Sequence, residues 1–130
     1  MSNLHFSSDA HKHFFFEQLN KSGSADCYHQ ALFYVLGLNA DTRQHINRLF
    51  DYKERTIRVE GLNEGWQTSG SQRLCRLAFN LWNGFAEPGE ECSSTPYNLF
   101  DCGYAPYMLD AIRLRYPEYC RDLDEKGQAR

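Results

Sequence analysis

The sequence predicts an all-α fold: a compact bundle of five to six helices around a buried central helix at about 71–83, with an irregular 51–70 segment. Three observations predict it. Only 5 of the 130 residues are Ile or Val, while 19 are Phe, Tyr or Trp, so little β-branched material exists for a buried sheet. Apolar residues recur at helical spacing in several windows. Capping residues and glycines bracket those windows. A chain of 130 residues is expected to form one domain, 1–130, with 122–130 as a frayed tail. It buries roughly two-thirds of its unfolded surface, so neither disulfides nor a structural zinc is required.

Ser7-Ser8-Asp9 is good N-cap chemistry, and His11, Phe14, Phe15, Phe16 and Leu19 follow it before Gly23, which predicts a helix over about 9–20. Ser24 is the expected cap of a second helix, where Tyr28, Ala31, Leu32, Val35 and Leu36 keep the i, i+3, i+4, i+7, i+8 pattern and Gly37 supplies a left-handed stop. Asn39 caps a third, with Thr42, Ile46, Leu49 and Phe50 on one face. From Asp51 to Gly70 the period disappears, apart from a possible short strand at Thr56-Ile57-Arg58-Val59. About twenty residues without regular structure inside a compact domain mark either a functional segment or regular structure that the pattern hides.

In the central helix, Leu74, Leu77, Ala78, Leu81 and Phe85 form one stripe, and Cys75, Phe79 and Trp82 form a second beside it. Arg73, Arg76, Asn80 and Asn83 make the remaining polar stripe. Gly84 to Ser94 reads as a solvated loop. Thr95 with Pro96 at the first helical position starts a short helix that ends near Cys102-Gly103. The last long helix starts at Ala105-Pro106, with Leu109, Ile112 and Tyr116 as its buried face and Pro117 as its stop.

A net charge of −3 argues against a protein that coats duplex nucleic acid. Of its 14 basic residues 10 are Arg, the side chain suited to bidentate contact with phosphate or carboxylate. No uncharged run approaches the roughly 20 residues of a membrane helix, and Met1 to Phe6 lacks a basic and then apolar leader. A cytoplasmic protein is expected. The 5 Cys include no CxxC pair and are expected to be reduced.

The most distinctive stretch runs from Gly65 to Arg73. A glycine-bounded, hydroxyl-rich loop of Gln67, Thr68, Ser69 and Ser71 feeds the central helix, so free backbone N–H groups and the positive dipole end converge where an anion can bind. Arg73 and Arg76 add fork donors, Asn80 lies on the same side, and Trp66 supplies an aromatic wall for a base. A plainer alternative assigns Thr68, Ser69 or Ser71 to an N-cap and Trp66 to a hydrophobic staple. The sequence lacks G-x-x-x-x-G-K-[ST], so this is not a nucleotide triphosphatase loop.

No metal site, cofactor or catalytic residue is assigned. Cys27 and His29 stand about 200° apart on a helix and cannot both face one ion. A small enzyme using a Cys/His pair, Cys27 or Cys102 with His29 or His45, or a metal site is the alternative class. The tyrosines at 97, 104, 107, 116 and 119 fill core, with any exposed member marking a surface for a protein partner.

Three stretches carry a family resemblance: Tyr28 to Tyr34 (YHQALFY) with Leu36-Gly37-Leu38; Gly65 to Gly70 (GWQTSG) running into Arg73 to Gly84 (RLCRLAFNLWNG); and Ser94-Thr95-Pro96-Tyr97 to Phe100-Asp101-Cys102-Gly103 with Arg113 to Pro117 (RLRYP). From about Phe6 to Cys120 the chain resembles a family of small uncharacterised proteins of Firmicutes phages and conjugative elements. The resemblance implies no activity and no catalytic residue. It implies a stoichiometric role in the host cytoplasm, countering defence by binding a host defence protein or by sequestering a small phosphorylated, nucleotide-like signal. The expected ligand site is Trp66, Gln67, Thr68, Ser69, Ser71, Arg73, Arg76 and Asn80.

Overall fold

The computed structural model describes residues 4–129, so the first three residues of the leader reading and Arg130 of the tail lie outside it. The chain is mostly helical, with α1 (Asp9–Ser22), α2 (Cys27–Leu36), α3 (Ala40–Gln44), α4 (Ser69–Asn83), α5 (Pro96–Leu99) and α6 (Ala105–Arg115). The one sheet among the described residues is a two-stranded hairpin of β1 (Phe50–Asp51) and β2 (Thr56–Ile57). None of these helices is long and apolar enough to cross a membrane.

Ser8 caps α1 by accepting from His11 N at 3.0 Å, and Gly23 closes it in the left-handed region at φ 71°. His11, Phe14, Phe15 and Gln18 form its buried face at i, i+3, i+4 and i+7. The His11 ring is wholly buried and held at both nitrogens: Nδ1 accepts from Ser7 N at 3.1 Å, so Nε2 carries the proton it donates to Tyr34 O at 2.8 Å. Burial holds its pKa below 6.5 and favours this neutral tautomer.

In α2, Ala31 to Leu36 have no exposed surface at all. A helix apolar around its whole circumference is surrounded, and α2 packs against α1, α4 and α6. The buried α4 therefore shares the centre with α2. The cap of α2 is Asp26 rather than Ser24: its carboxylate accepts from His29 N at 2.9 Å, while the Ser24 hydroxyl donates to Asp26 at 3.2 Å. Gly37 is not left-handed (φ −79°, ψ −10°). Its role is close approach, since a Cβ there would stand 2.8 Å from His11 Cδ2 and 2.9 Å from Phe14 Cδ1.

Asn39 caps α3 as expected, accepting from Asp41 N at 2.8 Å. The helix stops at Gln44, because His45 folds its ring back to donate from Nδ1 to Asp41 O at 2.8 Å. Ile46, Leu49 and Phe50 are buried as expected, but through a 3₁₀ turn at Ile46–Arg48 and the start of β1. The expected irregular stretch thus contains the hairpin, in which Phe50 pairs with Ile57, and a second 3₁₀ turn at Val59–Asn63. Gly61 lets that turn touch its neighbour, because a Cβ would sit 2.2 Å from Arg48 O.

Thr68 caps α4, and Gly84 ends it at φ 80°. Downstream, Thr95 makes no side-chain cap; its hydroxyl donates to Cys92 O at 2.7 Å instead. The buried face of α6 is Met108, Ala111 and Leu114, whereas Leu109 and Tyr116 are 48% and 37% exposed. Two contacts set this rotation: Arg115 Nε donates to Leu81 O at 2.7 Å at the end of α4, and its guanidinium lies 3.8 Å from the Tyr28 ring centre. In the tail, Asp124 Oδ1 accepts from Lys126 N and Gln128 N at 2.9 Å in a turn that bridges Leu123 to Ala129.

Candidate functional site

The site grows from the first turns of α4. The start of the helix is closed by a reciprocal box: Ser71 N donates to Thr68 Oγ1 at 3.1 Å, and Thr68 N donates to Ser71 Oγ at 2.8 Å. Ser71 Oγ also donates to Gln67 Oε1 at 2.5 Å, and Gln67 Nε2 donates to Gly61 O at 3.0 Å. Gln67, Thr68 and Ser71 are thereby committed to tying the loop to the helix. Trp66 points elsewhere: it stacks on His45 with ring centres 4.1 Å apart and planes within 3°, and donates from Nε1 to Glu64 at 2.8 Å. The bidentate Arg48 guanidinium and the Trp66 N–H pull the Glu64 carboxyl down to about 2. Asn80 closes the far end of the helix by donating to Phe85 O at 3.1 Å.

Ser69, Arg73 and Arg76 are brought together. With Gln72 they follow i, i+3, i+4 and i+7 on one face of α4, and they line a polar cleft of about 170 Å³ whose opposite wall is Ser93 and Asn98. Ser93 belongs to a 3₁₀ turn at Glu91–Ser94 and Asn98 to α5, both packed on α4.

The two guanidiniums are loosely held. Arg73 Nη1 reaches Asp101 O at 3.4 Å, and Arg76 Nη2 reaches Glu87 Oε1 at 3.5 Å, both long for contacts of a charged donor. Arg76 Nε is buried and without a hydrogen-bond partner among the described residues. Glu87 is anchored from its other side, where Oε2 accepts from Asn63 Nδ2 at 2.6 Å. Gln72 and Asn98 each donate to a backbone carbonyl, Leu62 O at 3.0 Å and Cys92 O at 2.8 Å. Two arginines against one carboxylate leave the cleft with a positive balance.

Of the expected ligand residues the cleft therefore contains Ser69, Arg73 and Arg76, while Trp66, Gln67, Thr68, Ser71 and Asn80 serve other contacts. It adds Gln72, which the face spacing could have identified, and Ser93 and Asn98, which no local pattern marks.

The cysteine and histidine candidates are dispersed. His29 Nδ1 bonds Asp26 at 2.8 Å, the Cys27 thiol lies 3.8 Å from Arg115 Nη1, and Cys102 Sγ donates to Leu99 O at 3.4 Å. Burial pushes the Cys75 thiol up to about 12. No three His, Cys, Asp or Glu side chains among the described residues are grouped to hold a metal ion.

No curated protein and no solved structure matches the chain. A family of unknown function, DUF6075, matches it over residues 1–128, and the chain belongs to that family.

Proposed function

We propose that this protein is a non-catalytic binder whose α4 cleft takes the phosphate of a small nucleotide-like ligand. The observation that carries the reading is the under-committed Arg76: a cleft-lining guanidinium with one long contact and a buried Nε lacking a partner. A buried unpaired donor costs about 1–3 kcal/mol, so these groups are normally satisfied, and a guanidinium that turns its Nε–H towards the cleft meets a phosphate oxygen in the fork geometry. Arg73, Ser69 and Ser93 line the same cleft. The phage and mobile-element setting implied by the sequence resemblance supports a host defence signal as the ligand, held stoichiometrically in the host cytoplasm.

Native mass spectrometry of the protein purified from its host, compared with its denatured mass, tests this. The expected result is an added mass in the nucleotide range that leaves on denaturation and is lost in an Arg73→Ala/Arg76→Ala variant that still folds. A zinc-sized increment would replace this reading with the Cys/His or metal enzyme.

A host defence protein as partner is the second reading, favoured by Tyr97 and Tyr119, which are 88% and 83% exposed. A bare native mass together with capture of a defence protein that Tyr97→Ala abolishes would establish it.

A further inference from the structure

We infer that the α4 cleft takes a terminal phosphomonoester, and that Glu87 is an internal anion which this ligand displaces from Arg76. The inference rests on the phosphate reading above and adds the form of the phosphate and the residue that opposes its entry.

Size gives the first reason. A cleft of about 170 Å³ has room for a phosphoryl group, whereas the clefts and cavities that take whole small molecules run to about 300–1,000 Å³. A nucleoside does not fit inside. The rest of the ligand must project into solvent, which a phosphate at the end of a molecule permits. A phosphate esterified on both sides would have to bring two substituents through the same opening.

Charge gives the second. Arg73 and Arg76 supply two positive charges to the cleft, and a phosphomonoester dianion matches them where a diester monoanion meets only one. Glu87 stands against this pair at 3.5 Å from Arg76 Nη2, held in place by Asn63. A phosphate arriving at Arg76 competes with a carboxylate already there. The contact is long enough to be given up, and Asn63 keeps Glu87 at hand for the empty state. An anion of single charge exchanges like for like and gains little, whereas the dianion meets Arg73 as well. Of the neighbouring acids, Glu91 accepts from Gly89 N at 3.2 Å, and Asp101 meets Arg73 through its backbone carbonyl alone.

The test is an NMR-monitored titration with methyl phosphate and with dimethyl phosphate at about pH 7.5, where the monoester is a dianion because its second pKa is about 6. The wild-type protein should bind methyl phosphate about tenfold more tightly than dimethyl phosphate, the effect of one added charge near a partly exposed arginine. Glu87→Gln keeps an acceptor for Asn63 and removes the competing charge, so it should tighten methyl phosphate by about tenfold. Should Glu87→Gln fail to fold, Glu87→Asp, which keeps the charge and loses the reach to Arg76, should show the same direction of change. Equal wild-type affinities for the two esters would overturn the phosphomonoester assignment and leave the phosphate reading standing. An unchanged affinity in the folded Glu87 variants would overturn the displacement by itself. No shift with either ester, in wild type and variants alike, would remove the phosphate reading and this inference with it.

Discussion

Arg115 and Arg76 are both half-buried arginines in contact with α4, yet they live under opposite conditions. Arg115 is firmly held: Nε donates to Leu81 O at 2.7 Å, and its guanidinium carbon lies 3.8 Å and 4.6 Å from the ring centres of Tyr28 and Tyr116. Arg76 has one contact at 3.5 Å and a buried Nε with no partner. The same residue type is a structural pin where its donors meet fixed acceptors and flat rings, and an available binding group where they do not. Charge and burial alone do not separate the two cases; the count of satisfied donors does.

Removing the pin should be the largest perturbation. Arg115→Ala loses a charge-assisted hydrogen bond to a carbonyl and two aromatic contacts, and should lower stability by about 2–3 kcal/mol in urea titration. A loss below about 0.5 kcal/mol, the level of an ordinary surface change, would erase the contrast.

A slightly smaller effect, about 2 kcal/mol, is expected for Gly37→Ala, whose new methyl would press on the His11 and Phe14 rings of the fully committed region. A melting temperature equal to wild type would show that this region yields more than its packing implies.

Next comes acid. The pKa of His11 is lowered in the folded state relative to 6.5 unfolded, chiefly by burial, so the unfolded chain binds the proton more readily. The stabilisation is present above about pH 6.5 and is lost as pH falls from there towards the lower folded value. Urea midpoints measured between about pH 7 and 5 should therefore drop, and His11→Gln should flatten that slope. An equal slope in the variant would assign the drop to other groups.

The smallest stability change belongs to the cleft. Arg73→Ala should stay within about 0.5 kcal/mol of wild type while losing phosphate binding. Unfolding of this variant would make Arg73 a second pin and end the comparison from the other side.

The pattern of what the sequence discloses follows the same division. Thr68, Asn39, Gly23 and Gly84 act as caps or stops, because these roles depend on a few adjacent residues whose backbone geometry is local. The rotation of α6 was not legible: Leu109 outranks Ala111 in hydropathy, but α6 buries Met108, Ala111 and Leu114 while Arg115 reaches Leu81 and Tyr28, contacts made across the fold. Gly37 reads as a turn residue and is instead a clearance for His11, which only the docking of α1 on α2 reveals. Within the cleft, Arg73 and Arg76 were legible from their place in the first turns of the central helix, and Ser69 from the hydroxyl-rich loop before it. Ser93 arrives from a loop that reads as solvated and Asn98 from the short helix after it, and Glu87, in the same loop as Ser93, gives no local sign of its contact with Arg76.

The sealed thiol of Cys75 carries a practical consequence. Its neighbours are core side chains and the Gln67 amide, and burial keeps it protonated at neutral pH. Alkylating reagents attack thiolates, so Cys92 on the exposed turn should take label promptly, while Cys75 is modified only when α4 parts from the rest of the chain. Its labelling rate is thus a clock for whole-molecule opening, readable by mass without a denaturant.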